Sequence, residues 1–185
     1  MSKVRSFLAI EIESRLKDNI AKVTQEFKKI DSDIKFVSNE NLHLTLKFFG
    51  NIDDFQLKQI KSSISLVLRD FNMFNIKLGG VGAFPNKNHI KVIWIGMEDN
   101  EILYELQFRL DDEFAKLGFN KEKNFKSHLT IGRMKTGKNK NKVKKIIEKN
   151  ENIIIGDFSV KSICLKKSNL TPSGPIYETL EEFIL

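Results

Sequence analysis

The chain has 185 residues, 41% of them hydrophobic, and a formal charge of +7. That length and apolar content suffice for one sizeable core or two small lobes sharing an interface, and no stretch of residues 1–185 has the composition of a linker between independent domains. A single cysteine, Cys164, rules out an intramolecular disulfide, and no apolar stretch of signal or membrane-spanning length precedes Glu11, so a soluble cytoplasmic protein with no membrane partner is expected.

From the N-terminus, Val4 to Ile12 is an apolar run with β-propensity, and after Ser14 the apolar residues fall at helical spacing: Leu16, Ile20, Val23, Phe27 and Ile30. A short extended piece, Ile34 to Val37, leads through a polar turn into a strand from Leu42 to Phe49, which Gly50 is expected to end. Asp53 and Asp54 mark the start of a helix whose apolar face is Leu57, Ile60, Ile64 and Val67. Phe74 to Leu78 alternates as a strand up to a break at Gly79-Gly80, and Ile90 to Ile95 is a buried strand, the two forming a hairpin with a long connection. Leu103, Leu106, Leu110, Phe114 and Leu117 make a third helix closed by Gly118. A strand from Ser127 to about Arg133 follows, then a basic helix from about Asn139 to Asn150, and finally strands near Ile153 to Leu165 and Ile176 to Leu185. Hairpins mixed with helices predict an α+β fold with antiparallel sheets.

The charge is regional. From Lys121 to Lys149 eleven Lys or Arg face Glu122 and Glu148, a net of +9, which leaves −2 for the rest of the chain. Such a cluster either attracts a polyanion or is the solvated face of a Lys-rich helix. Cys164 alternates with Ile163 and Leu165 and has no motif partner, so it reads as a small packing residue.

Two of the three histidines sit in one repeated pattern, His43-Leu44-Thr45-Leu46 and His128-Leu129-Thr130-Ile131. In a strand each His shares a face with its Thr, while the flanking apolar residues point to the other side. The surrounding residues, Asn41 to Lys47 and Lys126 to Gly132, also correspond, which suggests an internal duplication with one motif per half. Two imidazoles and two hydroxyls converging on one cavity suit displacement at phosphorus. One histidine takes a proton from the attacking oxygen, the other gives one to the leaving oxygen, and the Thr hydroxyls donate to the non-bridging oxygens. A hydrolytic metal site would need more ligands, and no Asp, Glu or Cys recurs at a fixed offset in both motifs, so neither a metal nor another cofactor is expected.

The paired His-x-Thr motifs resemble those of the two-histidine (2H) phosphoesterases. The flanking segments are similar to the RNA 2′,3′-cyclic phosphodiesterases, also described as 2′-5′ RNA ligase-like proteins: Arg5 to Ile10, Asn41 to Gly50, Gly82-Ala83-Phe84-Pro85, Val92 to Gly96, Phe125 to Arg133, and Ser168 through Gly174-Pro175 to Tyr177. Ser127 departs from the family's Pro, Ile90-Lys91 from its Pro-Arg and Phe36 from its Trp. These departures bear on the edges of the groove.

The resemblance implies a bilobal α+β fold with a pseudo-two-fold, two antiparallel sheets flanked by helices, and one motif per lobe facing a central groove. It implies metal-independent hydrolysis of an RNA-terminal 2′,3′-cyclic phosphate to a 2′-phosphate, on RNA ends such as tRNA fragments or on nucleoside 2′,3′-cyclic phosphates. Carried over, His43 is the proton donor, His128 the proton acceptor, and Thr45 and Thr130 bind phosphate oxygens; the residues alone leave donor and acceptor interchangeable. Arg133 is a phosphate or RNA contact by the family pattern, although strict alternation places it opposite His128 unless a bulge intervenes. Lys47 falls on the His43 face by period two, a phosphate contact at the groove rim or a solvated lysine. Arg5 is a groove residue or a surface charge. Phe48, Phe84 and Trp94 can stack on a terminal base, although Phe48 and Trp94 also read as core residues of apolar strands. His89, in a turn, stands outside the site. Nothing demands more than a monomer. Joining of RNA ends through a 2′-5′ bond and a non-catalytic RNA or nucleotide binding module remain alternatives.

Overall fold

The computed structural model describes residues 3–98, 100–172 and 174–185. In chain order they form strand Val4–Glu11 (β1), helix Ser14–Lys28 (α1), strand Ile34–Phe36 (β2), a 3-10 turn at Asn39–Asn41, strand His43–Ile52 (β3), helix Asp54–Leu68 (α2), and strands Phe74–Asn86 (β4) and His89–Met97 (β5). Helix Glu101–Lys116 (α3), strand His128–Met134 (β6), helix Lys140–Lys149 (α4), and strands Ile154–Val160 (β7), Ser162–Thr171 (β8) and Gly174–Ile184 (β9) complete the fold. Among the described residues no helix is long and apolar enough to cross a membrane.

Every strand pair is antiparallel, and the order is β7-β4-β5-β6-β3-β1-β8-β9, with β2 added to β6. Where the resemblance implies two sheets, the nine described strands form one continuous sheet whose two halves, β3-β1-β8-β9 and β6-β5-β4-β7, carry one motif strand each. They meet where β3 pairs β6 through one residue pair, Leu44 with Leu129. The pseudo-two-fold of the sequence thus passes between the two His-Leu-Thr motifs, and both central leucines are fully buried. The apolar sides of these strands, with Leu8, Ile10, Leu46, Ile93, Ile95 and Ile131, form one core with helix residues Leu16, Ile20, Phe27, Ile60, Ile64, Leu106, Leu110 and Phe114.

Local chemistry explains the element ends. Asp53 accepts from the Gln56 amide at 2.8 Å and Gln56 accepts from the Asp53 amide at 3.2 Å, a reciprocal cap that opens α2. Asn100 accepts from the Leu103 amide to open α3, and Gly118, at φ +90°, closes it.

The structure departs from sequence expectation at several boundaries. Gly50 does not end β3, which continues to Ile52; at φ +73° it is paired with Ser6 beside a register shift. Gly79-Gly80 does not break β4. A side chain on Gly79 would begin 2.7 Å from the Ile153 carbonyl oxygen, and one on Gly80 2.7 Å from that of Glu151. The glycines admit close approach of the segment before β7, a packing demand that mimics a turn signal. The β4–β5 connection is short: Asn86 Oδ1 accepts from the amides of Asn88 and His89, both at 2.9 Å. The apolar run from Ile153 to Leu165 is two strands separated at Lys161, and β9 starts at Gly174.

Candidate active site

Both motif strands carry a bulge directly after the threonine. Along β1 and β3, Ala9 pairs Thr45 and Leu8 pairs Lys47, so Leu46 is the extra residue. Along β5 and β6, Trp94 pairs Thr130 and Ile93 pairs Gly132, so Ile131 is the extra residue. An extra residue reverses the alternation beyond it. The residues five after each histidine, Phe48 and Arg133, therefore return to the groove side, while Lys47 turns inward. The groove, a cavity of about 730 Å³, is lined by His43, Thr45, Phe48, His128, Thr130 and Arg133 among others, within the usual volume of a small-molecule site.

Lys47 is thereby corrected. It is 7% exposed, and its ammonium pairs with Asp111 of α3 and donates to the Asn120 carbonyl. The second Asp111 oxygen accepts from the Glu122 amide at 2.6 Å. Buried charges need such full pairing, and this pair ties β3 to the loop that leads into β6. Phe48, by contrast, is 63% exposed and not a core residue.

The two histidines are held in the same way. His43 Nδ1–H donates to the Asn41 carbonyl and His128 Nδ1–H to the Lys126 carbonyl, each at 2.7 Å and each two residues upstream. That bond selects the tautomer and leaves Nε2 as the nitrogen available to the groove. Their surroundings differ. His43 is half-buried against Phe7, with ring centroids 4.9 Å apart, and Tyr177 of β9, 5.3 Å away edge-on. His128 meets the edge of Phe84 at 4.9 Å, and Phe84 leans on Trp94. Burial lowers the His43 pKa below its ordinary value; the bond to Asn41 and the Glu11 carboxylate oppose this, and Lys166 and His128 add to it.

Other expected residues lie at varied distances from the reacting centre. Arg5 is exposed on β1 and lies outside the groove lining, although it acts with Arg133 to lower the pKa of Tyr177, which burial raises overall. Phe84 and Trp94 stand behind His128 and do not line the cavity, the indole lying across Gly82, where a side chain would begin 2.2 Å from the ring. His89 is exposed in the β4–β5 turn. None of the lysines from Lys135 to Lys149 lines the groove, and Lys138, Lys144 and Lys149 pair with Asp31, Glu148 and Glu26. The basic cluster is chiefly a solvated face, with Val143 and Ile147 of α4 packed beneath it.

The structure also adds residues that period and spacing did not single out. Lys35, Phe36 and Val37 of the β2 segment and Gly174 to Tyr177 of β9 form the groove's walls. Asn41 joins these walls, its side-chain amide donating to the Pro175 carbonyl at 3.0 Å while its own carbonyl holds His43. Among the described residues no three His, Cys, Asp or Glu side chains gather as a metal site would require.

Comparison with known proteins gives the family and the fold. The family model of the LigT like phosphoesterases matches the chain twice, over residues 10–94 and 95–177, which is the internal duplication expected from the paired motifs. Proteins described as RNA 2′,3′-cyclic phosphodiesterase are similar end to end: that of Methanocaldococcus jannaschii is 45% identical over 97% of this chain and 100% of its own length. That of Methanothermobacter thermautotrophicus is 41% identical over 99% and 100%. In fold, the chain superposes on TT0787 of Thermus thermophilus with a TM-score of 0.84 at 24% identity, covering 98% and 97% of the two chains. It superposes on E. coli LigT complexed with 3′-AMP with a TM-score of 0.80 at 21% identity, covering 99% and 98%. Each family-model half contains one bulged His-x-Thr strand, and by both halves together this chain belongs to the LigT-like phosphoesterases.

Proposed function

We propose that the protein hydrolyses RNA-terminal 2′,3′-cyclic phosphates to 2′-phosphomonoesters, without metal, using its two histidines as acid and base. The observation that carries this reading is the mirrored pair itself. Two imidazoles with Nδ1 locked by backbone carbonyls present Nε2 to one groove, each beside a threonine hydroxyl, from strands joined at Leu44 and Leu129. The names of the relatives at 41% and 45% identity supply the substrate class.

In the proposed reaction the cyclic phosphate lies between the imidazoles, with Thr45 and Thr130 donating to its non-bridging oxygens. His128 Nε2 takes a proton from water as the water oxygen bonds to phosphorus. The bond from phosphorus to O3′ breaks, and His43 Nε2–H supplies the proton O3′ needs. Burial of His43 opposes the protonated form that a donor needs, and the incoming phosphate anion favours that form. Arg133 and Phe48, brought to the groove by the bulges, contact phosphate and base.

The test is to incubate the protein with a nucleoside 2′,3′-cyclic phosphate in excess chelator and follow the product by phosphorus NMR. A 2′-monoester at an undiminished rate is expected. Loss of activity on chelation, restored by a metal, contradicts the metal-independent mechanism, and absence of product contradicts the activity.

A further inference from the structure

One ion pair lies beside His43 without lining the groove. Glu11, at the end of β1, is directly opposite His43 in the β1–β3 register, and residues so opposed share a face and interact. The Lys166 ammonium of β8 bonds to the Glu11 carboxylate and donates to the Thr179 hydroxyl of β9 at 3.2 Å. Lys166 pairs Phe7 in register, and Phe7 is the ring that packs on His43. To reach Glu11, four residues along β1 from Phe7, the lysine stem runs past the same-face residues Ala9 and Cys164, which are small and buried. Imidazole, carboxylate and ammonium thus come from three neighbouring strands, β3, β1 and β8.

Packing does not account for the pair. The Lys166 side chain is 10% exposed and that of Glu11 56%. A carboxylate so exposed gains little from an ion pair, whereas burying the ammonium carries a desolvation penalty that a methionine of similar length would avoid. Lys47 and Asp111 differ, because both of those side chains are buried. The needs of a proton donor do account for it. Burial opposes the imidazolium, and the Glu11 carboxylate favours it. A carboxylate acting alone would hold the proton too firmly for transfer to a leaving oxygen, and Lys166 offsets that hold. A donor works best with its proton affinity near the working pH. The other titratable groups facing His43 are Tyr177 of β9, kept neutral by burial, and His128 of β6. After burial and the Asn41 bond, the strongest influences on the His43 proton are Lys166, which lowers its affinity, and Glu11, which raises it.

We propose that Glu11 and Lys166 are positioning residues that hold His43 in the protonation state its transfer needs, Glu11 favouring the imidazolium and Lys166 limiting that effect. This deepens the acid and base reading above and rests on it.

The experiment reads His43 in two ways. Proton NMR follows the histidine rings against pH, with the His43 signal identified by its loss in His43→Gln. In Lys166→Met the His43 midpoint should move to higher pH and in Glu11→Gln to lower pH, each by about 0.5 or more, as expected of one charge at short range in partly solvated surroundings. The double variant should fall between the two, and Lys166→Arg should keep the natural midpoint. With a nucleoside 2′,3′-cyclic phosphate, the alkaline limb of kcat/KM against pH, which belongs to the donor, should move in the same two directions. Lys166→Met should unfold in urea no earlier than the natural protein. Midpoints that stay put in both single variants, or that move in the same direction, overturn the coupling. An earlier unfolding transition or lost turnover with an unmoved midpoint makes the pair a structural tie and overturns it as well. Midpoints that move in opposite directions in a protein that opens no cyclic phosphate uphold the coupling and contradict the activity.

Discussion

Lys47→Met separates the two roles that a lysine four residues after a motif histidine can take. The side chains of Lys47 and Asp111 are 7% and 6% exposed, and methionine fills nearly the same volume without the charge. The substitution strands a buried carboxylate, for which the usual cost is about 3–5 kcal/mol. At about 2–4 °C per kcal/mol for a chain of this size, that is a fall in Tm of roughly 6–20 °C. Adding Asp111→Asn removes the stranded charge and leaves an oxygen to accept from the Glu122 amide. The remaining loss is then chiefly the Asn120 carbonyl, about 1–3 kcal/mol. The double variant should therefore be more stable than Lys47→Met alone. Urea midpoints for both variants, with kcat/KM measured well below the transition, give the answer. A Lys47→Met protein as stable as the natural one but deficient in KM would return Lys47 to the groove and refute the bulge reasoning.

Three further outcomes follow from the same geometry. Thr45→Val and Thr130→Val keep shape but lose the hydroxyl, and each should lower kcat/KM roughly 10–100-fold, as expected for one hydrogen bond to a charged group, with Thr→Ser retaining most activity; steady-state kinetics on a nucleoside cyclic phosphate decides. Because the folded-state pKa of His43 lies below its ordinary 6.5, the unfolded chain binds a proton just below that pH which the folded chain resists. Its contribution to stability is thus present above the ordinary value and lost as pH falls through the folded one. The drop in urea midpoint from about pH 7.5 to 5.5 should be smaller in His43→Gln than in the natural protein, and an equal drop would argue against a burial-lowered His43. The Cys164 thiol, buried in β8, is pushed up to about 11 by desolvation. It should react with a disulfide reagent near neutral pH only as the chain unfolds, so rapid labelling in native buffer would contradict its placement.

Much of the site is legible in the sequence because catalysis here sits on strands, where period two assigns faces without knowledge of the fold. His43, Thr45, His128 and Thr130 all line one groove on that rule alone. The rule fails beyond the threonines, since a bulge adds one residue without a compositional mark: Leu46 and Ile131 look like ordinary strand residues. Hence unbroken alternation assigns Lys47 to the groove face and Phe48 to the core, and the structure exchanges them. Gly79 and Gly80 mislead in another way, because close backbone approach and a turn both favour glycine. Lys35, Asn41 and Tyr177 depend on β2 and β9 coming together at the groove, a tertiary juxtaposition that no local spacing encodes. Helix positions are plainer, with Asp53, Asn100 and Gly118 marking their ends through capping chemistry readable from residue type.

That His43 and His128 act on one phosphate as acid and base is tested most directly by the rate of cyclic-phosphate ring opening, in a single turnover, by His43→Ala and by His128→Ala. Each variant is expected to lose at least about 100-fold, in line with removal of a general acid or base, while keeping a cooperative unfolding transition. Near-normal turnover by either variant would contradict the paired roles.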